Sequence, residues 1–133
     1  MKGISKHKKV TLLAFVALIL LGCSTEKNSA INRGYHNVTA RYNGYFNAKE
    51  SVNEGVRKLN DSHKENYEEI LPIYVYGDES AARRVYPQMD RAIEKSSYVI
   101  NNHSMYIKKV EYCSWIDDSY FLIGKASFYK KDF

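Results

Sequence analysis

WIDDSYFLIGKASFYKKDF, residues 115–133, carries the pattern that decides the fold. Ile116, Tyr120, Ile123, Gly124 and Phe128 recur at helical spacing and give one wide apolar face. Asp117 and Asp118 fall in the first turn, and Lys130 and Lys131 in the last. Both placements complement the helix dipole. A helix with one apolar face must bury it against another element, so partner helices are expected elsewhere in the chain.

The same spacing recurs upstream. Val38, Tyr42, Tyr45 and Phe46 predict a helix over 37–46, with Gly44 in its interior at a cost of about 1 kcal/mol against Ala. Ala48, Val52, Val56 and Leu59 predict a second helix over 48–60. The two patterns almost abut, which predicts an antiparallel hairpin. Residues 66–77 differ. Ile70-Leu-Pro72-Ile-Tyr-Val-Tyr76 is apolar and β-branched, and Pro72 forbids a regular helix interior. The segment reads as an ordered extended crossing packed on neighbouring helices. A buried strand is the alternative, although no second strand is evident to pair with it. Asp78 or Ser80 can cap a short helix over 81–86. After Pro87, Met89, Ile93, Ser96 and Ile100 form the stripe of a helix over 88–102, and a further short helix is expected over 105–112.

The N-terminus is an address. Lys2, Lys6, Lys8 and Lys9 form a positive region, and Val10 to Leu21 is an apolar run (VTLLAFVALILL). A spanning helix needs about 20 apolar residues, so the run fits the hydrophobic region of an export signal. Leu20-Leu21-Gly22-Cys23 follows. It resembles the lipobox of bacterial lipoproteins, in which a small residue lets the signal peptidase reach the backbone and the Cys thiol is acylated before cleavage. The domain reading is therefore a signal peptide over 1–22, a lipid tether over 23–33 and a helical region over 34–133. Two or more acyl chains anchor stably where one does not. Ser24 in place of Asp after the Cys, by analogy with the enterobacterial sorting rule, favours the outer membrane. With no acidic cluster nearby, the protein is expected to face the periplasm.

Composition excludes several classes. Most of the net charge of +5 is the leader's: four of the 20 basic residues lie there and no acidic one does, leaving 16 basic against 15 acidic residues. No nucleic-acid partner follows from the charge. Twelve tyrosines mark a packed segment and not a disordered tail. With Cys23 acylated, Cys113 has no partner for a disulfide and reads as a small buried residue. His36, His63 and His103 are far apart in sequence and read as surface or packing residues, not metal ligands. Glu68-Glu69 and Asp117-Asp118 are adjacent pairs that point to different faces of a helix, as solvated or capping groups do. No GxSxG, P-loop or GxGxxG motif is present. No catalytic residue, cofactor, metal or small-molecule substrate is expected.

Residues 120–133 resemble the first helix of a tetratricopeptide repeat, whose pattern runs W-x-x-L-G-x-x-Y. Tyr120 stands at the Trp position, Ile123 at the Leu and Gly124 at the Gly, and Phe133 follows the turn. Ser127 departs from the usual Tyr, and Lys131 from the usual turn Gly. The packing positions implied are Tyr120, Ile123, Gly124, Phe128 and Phe133. The 37–60 hairpin looks like an irregular earlier repeat. The fold class is therefore all-α, antiparallel hairpins of tetratricopeptide (α-solenoid) type, with a non-repeat helical bundle as the alternative. The chain stops at Phe133, where a second hairpin helix is expected, and so reads as part of a longer protein.

The mature sequence also resembles the SprE/PorW lipoproteins of gliding motility and type IX secretion in Bacteroidetes. The resemblance is carried by Asn32-Arg-Gly-Tyr-His-Asn-Val-Thr39, Tyr42-Asn-Gly-Tyr-Phe-Asn-Ala-Lys-Glu-Ser51, Tyr67-Glu-Glu-Ile-Leu-Pro72 with Tyr76-Gly-Asp78, Met89-Asp-Arg-Ala-Ile-Glu-Lys-Ser96 and Trp115-Ile-Asp-Asp-Ser-Tyr120. It implies a non-enzymatic scaffold, lipid-anchored in the outer membrane and acting through protein partners of the secretion apparatus. The other readings are a repeat lipoprotein of another envelope complex, such as outer-membrane protein assembly, and an envelope enzyme whose catalytic part lies outside this sequence. In a lipoprotein-processing host, mass spectrometry should find a mature chain that begins at acylated Cys23. Cys23→Ala should leave the leader attached; a free thiol at a processed terminus refutes the lipobox.

Overall fold

The computed structural model describes residues 28–132. Residues 1–27, which hold the expected export signal and Cys23, and Phe133 lie outside the described residues. The described chain is all-α apart from one minimal β-hairpin. Helix α1 (Ala30–Thr39) runs into a π-helical segment (Ala40–Tyr45) and then into α2 (Phe46–Ser62). After an irregular crossing come α3 (Glu79–His103), strands β1 (Tyr106–Ile107) and β2 (Val110–Glu111), and α4 (Ile116–Lys130).

The expected hairpin between 37–46 and 48–60 does not form. α1, the π segment and α2 make one continuous rod, about 50 Å long. Its cap is Ser29, whose hydroxyl accepts from the Asn32 N–H at 3.2 Å. The missing turn has a physical cause. Asn43 to Asn47 contain no residue in a left-handed conformation, and the backbone stays helical throughout. The Phe46 N–H reaches the Arg41 carbonyl five residues back, which closes a wider turn.

That wide turn aligns a row of inward residues. His36, Ala40, Gly44 and Ala48 are all buried and stand four apart. In a regular α-helix each step of four drifts by about 40°, so the row would swing away from its neighbour. The slower winding of the π segment keeps it facing α3. A β-carbon at Gly44 would collide with Val99 Cγ2, and Val99 is fully buried. Gly44 therefore sets how closely the two rods approach.

α3 runs unbroken through Pro87, where two helices were expected on either side of it. Pro87 lies on the exposed face, as does Arg83, so the carbonyl released at that turn can bond water. The buried row Ala81, Val85, Met89, Ala92, Ser96, Val99 and His103 passes behind it. Asp78 caps the helix, accepting from the Ala81 N–H at 2.7 Å, while Ser80 donates to the same carboxylate. The expected helix over 105–112 is instead the β-hairpin, with Tyr106 opposite Glu111 and Ile107 opposite Val110. Lys108 and Lys109 both take positive φ at its turn, as a type I′ turn demands.

α2, α3 and α4 pack as three rods, with α3 antiparallel to both neighbours. Gly55 faces Val85 and Met89, and Gly44 faces Val99. Lys130 pairs with Asp90 at 2.7 Å, while Ile116 joins Val99 and Ala40 at the other end. Val52, Leu59, Val85, Met89, Leu122, Ala126 and Tyr129 form the main core. The 66–77 crossing is non-helical, as expected, but only its end packs. Val75 reaches the core, while Ile70 and Ile73 are 99% and 93% exposed.

The two helical glycines of the rod's first half differ sharply. Gly34 has open space where a β-carbon would go. Gly34→Ala should stabilise the protein by about 0.5–1 kcal/mol. Gly44→Ala should destabilise it by about 1–3 kcal/mol through overpacking against Val99. Urea denaturation followed by circular dichroism checks both signs.

Candidate interaction surfaces

α4 does not bury the face its sequence pattern indicated. The residues packed inward are Ile116, Ser119, Leu122, Ala126 and Tyr129. Tyr120 and Phe128 are 59% and 49% exposed, Gly124 is exposed with open space over its α-carbon, and Ile123 is half-buried. Phe133, the fifth of the expected packing positions, lies outside the described residues, as does Cys23, the expected lipidation site. Size explains the choice of face. Ser119 and Ala126 let α4 lie close, and Ser119 returns its hydroxyl to the Trp115 carbonyl at 2.6 Å. Of the rings of α4, Tyr129 packs inward while Tyr120, Phe121 and Phe128 are left outside.

Those rings form a surface. Tyr120, Phe121 and Phe128 stand along the outer side of α4, and Tyr76 of the crossing meets Phe128 edge-on with centroids 6.1 Å apart. Lys131, in a left-handed conformation that closes the helix, places its ammonium 5.8 Å from the Tyr76 ring. A second apolar surface runs along the rod, where Ile31, Tyr35, Val38, Tyr42 and Phe46 all face outward. Of the residues expected on one buried helical face, only Tyr45 turns in, stacking on Trp115 at 4.9 Å.

The junction between the rod's first half and the end of α3 is polar and tightly made. His36 and His103, read as isolated from the sequence, meet across it with their Nδ1 atoms 3.2 Å apart. Sixty-seven residues separate them, so no local motif could signal the pair. Tyr35 and Tyr98 close over the two rings. Asn37 donates to the Tyr112 carbonyl at 2.8 Å and accepts from the Ser114 N–H at 2.9 Å. Arg33 stacks on the Tyr112 ring at 3.9 Å. Glu111 gathers the hairpin, accepting from Ser104 Oγ, the Met105 N–H and the Cys113 N–H at 2.6–2.8 Å. Burial works against its charge, but these hydrogen bonds hold its carboxyl below the usual range. Cys113 is buried as expected, and burial pushes its thiol up, away from the reactive thiolate.

Other groups are already committed. A cleft of about 580 Å³ opens between the crossing and the ends of α2 and α3. Its Asp78 is spent on capping, and its Arg84 reaches Ser62 at 3.4 Å. Among the described residues no three His, Cys, Asp or Glu gather as a metal site. No described helix is long and apolar enough to cross a membrane. No protein-family model matches the chain, and no curated protein matches it.

The histidine pair makes stability depend on pH. In the neutral pair one ring donates and the other accepts, and the Nε2 of His103 is buried with no hydrogen-bond partner. Burial, with the facing His36, lowers the pKa of His103 below 6.5. The unfolded chain then binds the proton first. The stability that neutral His103 contributes is full above pH 6.5 and is lost as the pH falls from there through its folded pKa. Urea midpoints should drop between pH 7.5 and 5.5, and His103→Phe should flatten that drop. An unchanged slope in the variant refutes the assignment.

Proposed function

We propose that the chain is a non-enzymatic scaffold lipoprotein of the SprE/PorW kind, anchored in the outer membrane and facing the periplasm. It serves type IX secretion and gliding by presenting helical surfaces to other proteins. The outward ring row of α4 carries this reading. Aromatic side chains supply most of the binding energy of protein interfaces, and a row of them left in water is costly unless a partner covers it. The tetratricopeptide comparison gives that row a geometry. Gly124 leaves room for another helix backbone beside Tyr120, Ile123 and Phe128, which is the use that repeats make of this position. α3 and α4 are read as antiparallel neighbours of a solenoid. The lipobox at Cys23 supplies the anchor.

Deleting the gene in a gliding host should abolish spreading and leave adhesins inside the cell. A chromosomal copy carrying Phe121→Asp and Phe128→Asp should reproduce that loss with protein level and helix content unchanged. Normal spreading and secretion in the deletion strain overturns the proposal. A general fall in outer-membrane proteins would assign the chain to their assembly instead.

A further inference from the structure

The outer side of the rod changes character halfway along. From Ile31 to Asn47 its exposed positions are Ile31, Gly34, Tyr35, Val38, Arg41, Tyr42, Asn43, Phe46 and Asn47, with one charge among them. The large members are 54–83% exposed and make a row about 22 Å long. From Lys49 the exposed positions are Lys49, Glu50, Asn53, Arg57, Lys58, Asn60, Asp61 and Ser62, the ordinary solvated face of a helix. A purely water-facing rod has no cause for that switch.

We infer that the apolar half of the rod lies on the bilayer surface, a second membrane contact beside the acyl chains. The inference rests on the reading of Cys23 as the lipidated residue. Three observations choose lipid as the occupant. The apolar half is the half next to Cys23: six residues separate Cys23 from Ala30, a reach of at most about 25 Å. The first turns of the rod are thus held within that distance of the headgroups. Charge agrees, because no acidic residue occurs from Asn28 to Lys49, while Arg33, Arg41 and Lys49 do. Such a segment is attracted to anionic lipid. Residue type agrees as well. Tyr35 and Tyr42 have apolar rings with polar tips, suited to the boundary between acyl chains and headgroups. Arg41 lies 5.1 Å from the rings of both Tyr42 and Trp115 and is placed beside the row, not within it.

The test uses the full chain, acylated in its host and reconstituted into phosphatidylethanolamine–phosphatidylglycerol vesicles. Nitroxide labels are placed through Tyr35→Cys and Tyr42→Cys, with Asn53→Cys and Glu94→Cys as controls; buried Cys113 stays unlabelled. Circular dichroism confirms each fold. Labels at 35 and 42 should be several-fold more accessible to oxygen than to a water-soluble nickel complex, and the controls should show the reverse. Water-accessible labels at 35 and 42, on a chain whose mass shows acylated Cys23, overturn the inference and leave the anchor standing. Labels shielded from both reagents, or broadened by labels on a second copy, mean that protein covers the face and also overturn it. An unmodified Cys23 removes the anchor and the inference together.

Discussion

The close approach of the rod to α3 is the constraint on which the rest depends. It is made by side chains that are nearly absent. Ala40, Gly44 and Ala48 face Val99 and the small residues of α3, and no larger group fits at Gly44. The π segment is what keeps these three in line. A row of four-residue steps cannot stay on one face of an α-helix for long, and the wider turn removes the drift where the row needs it. Past Ala48 the inward positions Val52, Gly55 and Leu59 return to ordinary spacing, and the helix is regular again. Bringing the rods together also brings His36 to His103 and Tyr45 to Trp115, so the polar junction follows from the packing of small residues.

The same rule of size governs α4. Ser119 and Ala126 turn inward, and Tyr120, Phe121 and Phe128 turn out. A reading that ranks residues by hydrophobicity puts the rings inside, and on both the rod and α4 it selects the wrong face. Apolar residues run nearly all round α4, so periodicity alone cannot fix its rotation. What was legible is what depends on local chemistry. The extent of α4 follows from its acidic first turn and basic last turn. The cap at Asp78 follows from its short carboxylate, and the break at 66–77 from Pro72.

What was not legible depends on contacts distant in sequence. The continuity of the rod needed α3 as a template, because abutting apolar patterns look the same whether the chain turns or runs on. Pro87 read as a boundary, yet it costs little on a wet face with the buried row intact behind it. The hairpin at 106–111 hides because Lys108-Lys109 is a poor signal for a turn that usually calls for Asn-Gly. Glu111, accepting from three donors at the hairpin's base, ties its two ends together across the turn of two left-handed lysines.

A fold that places small residues at its closest helix contacts leaves many of its large aromatics outside, and this links architecture to use. Each ring kept out of the core frees the helices to pack closely and leaves apolar area for a later encounter. At about 25 cal/mol per Å², covering a few such rings contributes several kcal/mol to an association. The cost is solubility, since bare aromatic rows favour unspecific contact. A chain tethered to a surface bears that cost better than one free in solution, because its encounters are confined to a plane and a fixed orientation. On the proposed reading, the exposed row of the rod meets lipid and that of α4 meets polypeptide, so each has a use that offsets its cost.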